Sequence, residues 1–288
     1  DPFGFKPLCI GKRDNTYFLS SETCALDTVG AEFVRDVLPG EVVTITSKGI
    51  ESDTSLCQKN TARCIFEYIY FARPDSKIDG MGVYKSRINA GRILAKTHPV
   101  DADLVVGVPE SGNPAALGFS LESGIPYGNA FIKNNYVGRT FIKPKQAQRE
   151  SSVKVKLNVL KEAVAGKRVV MIDDSIVRGT TSARIVSLLK NSGAKEVHVR
   201  ISSPPFKHPC YFGTDIPSED QLIATGKTVD EICKIIGADS LGSTNHLGYL
   251  EVDRLSEMIC GGTGFCDACF TGNYPMDPPT RDIRGEMG

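Results

Sequence analysis

Thirteen residues do most to limit what this chain can fold into: Val169-Val170-Met171-Ile172-Asp173-Asp174-Ser175-Ile176-Val177-Arg178-Gly179-Thr180-Thr181. A short apolar, β-branched run predicts a buried strand, and an acidic pair ends it. Gly179 supplies the turn, and beyond it Ile185, Leu188 and Leu189 fall on one face of an amphipathic helix. The loop delivers consecutive backbone amides and three hydroxyls (Thr180, Thr181, Ser182) to a helix N-terminus, an arrangement suited to a phosphate monoester and aided by the helix dipole. Two carboxylates facing that phosphate would repel it. Asp173 and Asp174 are therefore expected to meet sugar hydroxyls or a hydrated Mg²⁺. A bare Asp-Asp pair would read more readily as the capping turn of an ordinary βαβ unit, and it is the full string that reverses this.

The surrounding sequence supports a sheet. Strands are expected at Leu104 to Val108, Ala130 to Ile132, Arg168 to Ile172 and Val197 to Ile201, with helices at about Met81 to Lys96, Ser182 to Lys190 (capped by Gly193) and Val229 to Ile236. This alternation predicts a parallel, doubly wound α/β sheet with helices on both faces. Upstream the sequence is β-rich: Tyr17-Phe18-Leu19 and Val42 to Thr46 read as strands, Ala31 to Val37 as a helix, and Ile65 to Phe71 as a strand opening the second regime. The expected division is 1–60, 61–275 and a polar tail, 276–288. The chain starts at Asp1 without a methionine and runs into strand-like sequence, which reads as missing N-terminal residues.

Formal charge sums to zero, with 34 basic and 34 acidic residues scattered along the chain, so no cationic face for nucleic acid is expected. No apolar run is long enough to cross a bilayer, and the opening lacks a signal-peptide layout. The cytoplasm is the expected compartment.

The full string from Ile172 to Thr181 resembles the phosphoribosyl pyrophosphate binding motif of type I phosphoribosyltransferases. Ile-Asp-Asp-Ser-Ile-Val-Arg-Gly-Thr-Thr resembles the glutamine amidotransferase branch in particular. The resemblance implies a substrate-binding loop of Asp173, Asp174, Ser175, Val177, Arg178, Gly179, Thr180 and Thr181. It also implies a pyrophosphate loop at Pro109-Glu110-Ser111-Gly112-Asn113-Pro114, where Ser111 and Gly112 bind substrate and Ser111 joins Asp173 and Asp174 around Mg²⁺. Glu110 stands where relatives have an aspartate. The long polar stretch after Ile132 is similar to the family's closing loop. Lys133, Tyr136 and Arg139 are thereby expected to seal the site and exclude water.

There are nine cysteines. Cys266 and Cys269 form a chelating pair beside glycines, and spacing alone does not choose their companions. Members of the family with a cluster place ligands just before Phe-Glu-Tyr-Ile-Tyr-Phe-Ala-Arg-Pro-Asp-Ser, in His-Pro-Cys-Tyr-Phe-Gly and at the late pair. The resemblance thus implies Cys64, Cys210, Cys266 and Cys269 as ligands of a structural 4Fe-4S cluster. Four thiolates hold zinc equally well on chemical grounds, and the other five cysteines read as unligated core.

The implied reaction displaces pyrophosphate from phosphoribosyl pyrophosphate with ammonia, giving phosphoribosylamine, the first committed step of purine synthesis. Asp173 and Asp174 would stabilise positive charge on the ribose. In the family, glutamine supplies the ammonia through an N-terminal domain whose nucleophile is a first-residue cysteine. Asp1 is not that residue, and Asp-Pro-Phe-Gly-Phe-Lys-Pro-Leu resembles a late strand of that domain, so 1–60 reads as its remnant. Relatives are homo-oligomers inhibited by purine nucleotides. Near Gly237 to Leu250 about five residues are inserted relative to them. The rival readings are a nucleobase salvage transferase and a non-enzymatic sensor of phosphoribosyl pyrophosphate.

Overall fold

The computed structural model describes residues 1–133, 157–214, 218–241 and 248–278, and the chain divides into two compact units. One comprises Asp1–Arg87, Phe206–Thr225 and Val252–Gly288; the other comprises Ile88–Pro205 and Gly226–Glu251.

The first unit opens with an antiparallel sheet in the order Thr16–Ser20, Cys9–Arg13, Glu32–Asp36. The helix Thr23–Thr28 lies against it, and Cys9, Leu26 and Ala31 form a small core on which Phe18 packs. Gly11 lets the helix approach: a Cβ there would stand 2.7 Å from Leu26 Cδ2. A hairpin follows, Val42–Thr46 with Gly49–Asp53. Three local expectations fail here. Ala31 to Val37 is not a helix, because Glu32–Asp36 finds an edge in Cys9–Arg13, and pairing overrides local propensity. The opening segment is not a strand; pairing begins at Cys9. Ile65 to Phe71 is not a strand either: Arg63–Cys64 pairs in parallel with Phe265–Cys266, and Glu67–Phe71 then winds into a π-helical turn.

Arg35 and Glu41 lock this unit with a bidentate ion pair (2.6 and 2.8 Å), and Glu41 Oε2 also accepts the Leu38 amide at 2.8 Å. The Glu41 side chain is 1 % exposed, and the Arg35 hydrogen bond holds its carboxyl down to about 2. A depressed carboxyl contributes stability above its unfolded value near 4.5 and loses it as pH falls through the folded value. Glu41→Gln is therefore expected to cost about 2 kcal/mol at pH 7 and almost nothing near pH 2. Denaturant unfolding at both pH values checks this.

In the second unit a parallel sheet runs in the order Glu196–Ile201, Arg168–Asp173, Leu104–Gly107, and single bridges to Tyr127, Ser240 and Tyr249 extend it at its margins. Val169, Val170, Met171 and Ile172 are all fully buried. That is why this strand reads as an unbroken apolar run rather than an alternating one. The helix Gly112–Ser123 packs on the two strands nearest it, and Thr180–Asn191 lies against Glu196–Ile201 and against Val229–Ile236. The last of these helices begins in a capping box of Thr228 and Glu231 and ends at Gly237, φ +72. Arg200 is fully buried; its guanidinium donates to the carbonyls of His98 and Val199, both at 2.9 Å, and burial lowers its pKa to about 10. No helix among the described residues is long and apolar enough to cross a membrane.

Candidate functional site

The central strand Arg168–Asp173 delivers the acidic pair at its carboxyl end. Both carboxylates are buried. Asp173 Oδ1 accepts the Asp174 amide at 2.9 Å, and the Asp173 carbonyl accepts the Ser202 amide at 2.9 Å, which anchors the strand end to its neighbour. Burial first, and then Asp174, hold the Asp173 carboxyl well above the usual range. Asp174 is placed differently: its two oxygens accept the hydroxyls of Ser111, at 2.5 Å, and Ser175. The two acids that look alike in the sequence thus stand in different electrostatic settings.

Ser111 arrives on the loop after Leu104–Gly107, beside a cis Pro109–Glu110 peptide. The loop closes tightly on the central strand. The Val108 amide donates to Ile172 O at 2.8 Å, and a Cβ on Gly112 would lie 2.5 Å from that same carbonyl oxygen. Only glycine fits there without moving the backbone. Glu110 is exposed and pairs with Lys133 Nζ at 3.0 Å, so Lys133, last in the strand Phe131–Lys133, lies beside this loop. Tyr136 and Arg139 lie outside the described residues, as do the middle of the inserted segment and most of the polar tail.

After Asp174, Ser175 and Val177 are half-buried, Ile176 is buried and Arg178 is exposed. Gly179 takes the left-handed conformation, φ +79, and begins the helix Thr180–Asn191 with no side-chain cap and no acidic residue in the first turn. Its uncapped first-turn amides and the exposed Thr180 and Thr181 suit an anion. Ser182 is buried.

A second candidate site lies in the other unit, where Cys64 and Cys266 are paired across Arg63–Cys64 and Phe265–Cys266. The amides of Lys207 and His208 donate to Cys269 O at 3.0 and 3.1 Å, tying the segment before Cys210 to the late pair. Aromatic rings surround it, Phe206 on Phe270 (4.9 Å) and Tyr211 on Tyr274 (5.3 Å) among them. All four cysteines are partly buried. Burial pushes Cys64 up to about 12; burial, then Cys64, Cys210 and Cys266, raise Cys269. The thiols therefore feel one another, yet among the described residues no three His, Cys, Asp or Glu side chains are grouped as ligands of one ion. Of the other five cysteines, Cys9 and Cys24 are core; Cys260 is not, being exposed in the turn after Leu255–Met258.

Sequence reasoning missed Lys6 and Glu67 beside these cysteines, 2.8 Å apart. A cavity of about 90 Å³ includes both, with Cys64, Arg63, Asp36 and Asp79 in its walls. Nothing in residue spacing signals this pairing across sixty-one positions.

Residues 88–202 match the phosphoribosyl transferase domain model. The chain superposes with TM-score 0.87 on the Bacillus subtilis glutamine phosphoribosylpyrophosphate amidotransferase solved with ADP and GMP, at 48% identity over 97% of this chain and 61% of that one. This is the type I phosphoribosyltransferase fold. A structure described as the allosteric regulatory enzyme of purine biosynthesis superposes equally well, at 49% identity. Among curated proteins, the amidophosphoribosyltransferase of Archaeoglobus fulgidus is 53% identical over 279 residues, 97% of this chain and 60% of that protein, and the one from Methanocaldococcus jannaschii is 50% identical over 300 residues. The chain spans about three-fifths of the length of these phosphoribosyltransferase relatives.

Proposed function

We propose that this chain carries the transferase reaction of an amidophosphoribosyltransferase: pyrophosphate on carbon 1 of phosphoribosyl pyrophosphate is displaced by ammonia. The observation that carries the reading is the acidic pair at the end of the central strand, tied by Ser111 to the neighbouring loop and followed by an uncapped helix start. The 5-phosphate would sit on the first-turn amides, Thr180 and Thr181; the ribose hydroxyls would face Asp173 and Asp174; the pyrophosphate would lie along Ser111 and Gly112. Mg²⁺, held by Ser111, Asp173 and Asp174, would neutralise charge on the leaving group. As the bond to pyrophosphate breaks, positive charge grows on the ribose ring, and a carboxylate in a water-poor site stabilises it. Neutral ammonia needs no strong base. Lys133, with Tyr136 and Arg139, would close the site. Residues 1–60 are read as the end of a glutaminase domain and 61–275 as the transferase, with glutamine as the ammonia source in a longer protein. The ADP and GMP bound by the B. subtilis relative extend the proposal to feedback by purine nucleotides.

The test is pyrophosphate release from phosphoribosyl pyrophosphate and Mg²⁺ with ammonium, with hypoxanthine, or with neither. Release only with ammonium supports the reading. Release only with hypoxanthine would make this a salvage enzyme, and binding without release in any arm would leave a sensor. Phosphoribosylamine formation from glutamine by this chain alone would refute its dependence on added ammonium.

The four cysteines are proposed to hold a 4Fe-4S cluster: strand pairing sets Cys64 beside Cys266, and the Lys207 and His208 amides on Cys269 O bring the segment before Cys210 to the late pair. Bound, it would clamp Cys64, Cys210 and the late pair together. Protein shown to be bleached and metal-free should lose melting temperature and protease resistance; unchanged values would end the structural role.

A further inference from the structure

We propose that Lys6 and Glu67 are a charge-setting pair for the four-cysteine site, Lys6 acting as a fixed cation beside the thiolates and Glu67 as its oriented counter-charge. The inference rests on the cluster reading above.

Lys6 stands between two of the cysteine-bearing segments. On one side, the Cys64 amide donates to Phe5 O at 3.1 Å. On the other, Phe5 stacks on Phe212 with centroids 4.4 Å apart, and Lys6 Cε lies 3.4 Å from where a Cβ on Gly213 would stand. The ammonium is fixed in place: it donates to Glu67 Oε1 at 2.8 Å and sits 4.4 Å from the centre of the Phe71 ring. Glu67 is 7 % exposed, three residues beyond Cys64. Lys6, Glu67 and Cys64 also line one cavity.

Four thiolates and a cluster carry net negative charge, and reduction adds one electron more. A nearby cation therefore favours the reduced form and a nearby carboxylate disfavours it, because net charge around a cluster is one of the protein's means of setting its potential. The two residues should act with opposite sign.

The experiment measures iron and sulfide content, the reduction midpoint and the rate of absorbance loss in air for anaerobically purified full chain and for Lys6→Met, Lys6→Arg and Glu67→Gln. Lys6→Met is expected to shift the reduction equilibrium about tenfold toward the oxidised form, about 59 mV more negative for one electron, and to bleach faster. Glu67→Gln is expected to move the midpoint the other way, and Lys6→Arg to match the original protein. Midpoints that do not move, that move together, or clusters lost alike from Lys6→Met and Glu67→Gln would make the pair merely structural and overturn the inference. Original protein lacking 4Fe-4S stoichiometry removes the cluster reading and this inference with it. Original protein fully loaded, with unmoved midpoints in the variants, removes this inference alone.

Discussion

Asp174→Asn is expected to lower ammonium-dependent kcat/KM for phosphoribosyl pyrophosphate by about 10²–10³-fold, the scale set by removing one preorganised electrostatic contact from a developing charge. Asparagine keeps the shape and one acceptor for Ser111 or Ser175 but removes the negative charge proposed to face the ribose. Asp173→Asn is expected to lose at least about tenfold less at the chemical step. Its carboxyl is already driven toward the neutral form by burial and by Asp174, and the acceptor role toward the Asp174 amide survives the change. Steady-state kinetics with saturating Mg²⁺, alongside melting temperatures, separate lost chemistry from lost fold. Equal losses in the two variants, or a loss under about threefold in Asp174→Asn, would remove the division of labour between the acids.

The second large effect is expected at a helix crossing that no motif marks. A Cβ on Gly118 would stand 2.0 Å from Ile88 O, and one on Gly91 would stand 1.8 Å from Ala115 O. The helices Val83–Thr97 and Gly112–Ser123 therefore touch backbone to backbone at two glycines, and neither carbonyl can swing aside as a flexible side chain could. Gly118→Val is expected to cost about 3 kcal/mol or more, because an overpacked contact against backbone must push two helices apart. Melting should fall by roughly 6–12 °C for a unit of this size. Activity should fall with it, since Gly112–Ser123 begins at the loop that carries Ser111. Gly124→Ala is the control: φ is +75 with nothing within 4 Å, so only the left-handed conformation is penalised, about 1 kcal/mol. Similar losses in the two variants would show that helix separation is not what Gly118 protects.

The phosphate-loop segment was legible because its signals are local. The apolar run of Val169 to Ile172, the acidic pair and Gly179 each act within a few residues, and the strand, turn and helix appear where the sequence places them. The helix Val229–Ile236 was legible for the same reason, its capping box being written at Thr228 and Glu231. The opening region was not. Glu32–Asp36 carries no strong preference of its own, and Cys9–Arg13 decides it by offering an edge; Glu67–Phe71 alternates like a strand but has no partner to pair with after Cys64.

The sequence by itself determined the kind of chemistry available, because hydroxyls, carboxylates, thiols and a left-handed glycine can be counted and spaced along a line. Tertiary structure decided which of them act on one another. It separated Asp173, which accepts the Asp174 amide, from Asp174, which accepts the Ser111 hydroxyl sixty-three positions away, and it set Lys6 against Glu67 beside cysteines drawn from three segments. Electrostatic work depends on distance and on exclusion of water, and neither is a function of separation along the chain.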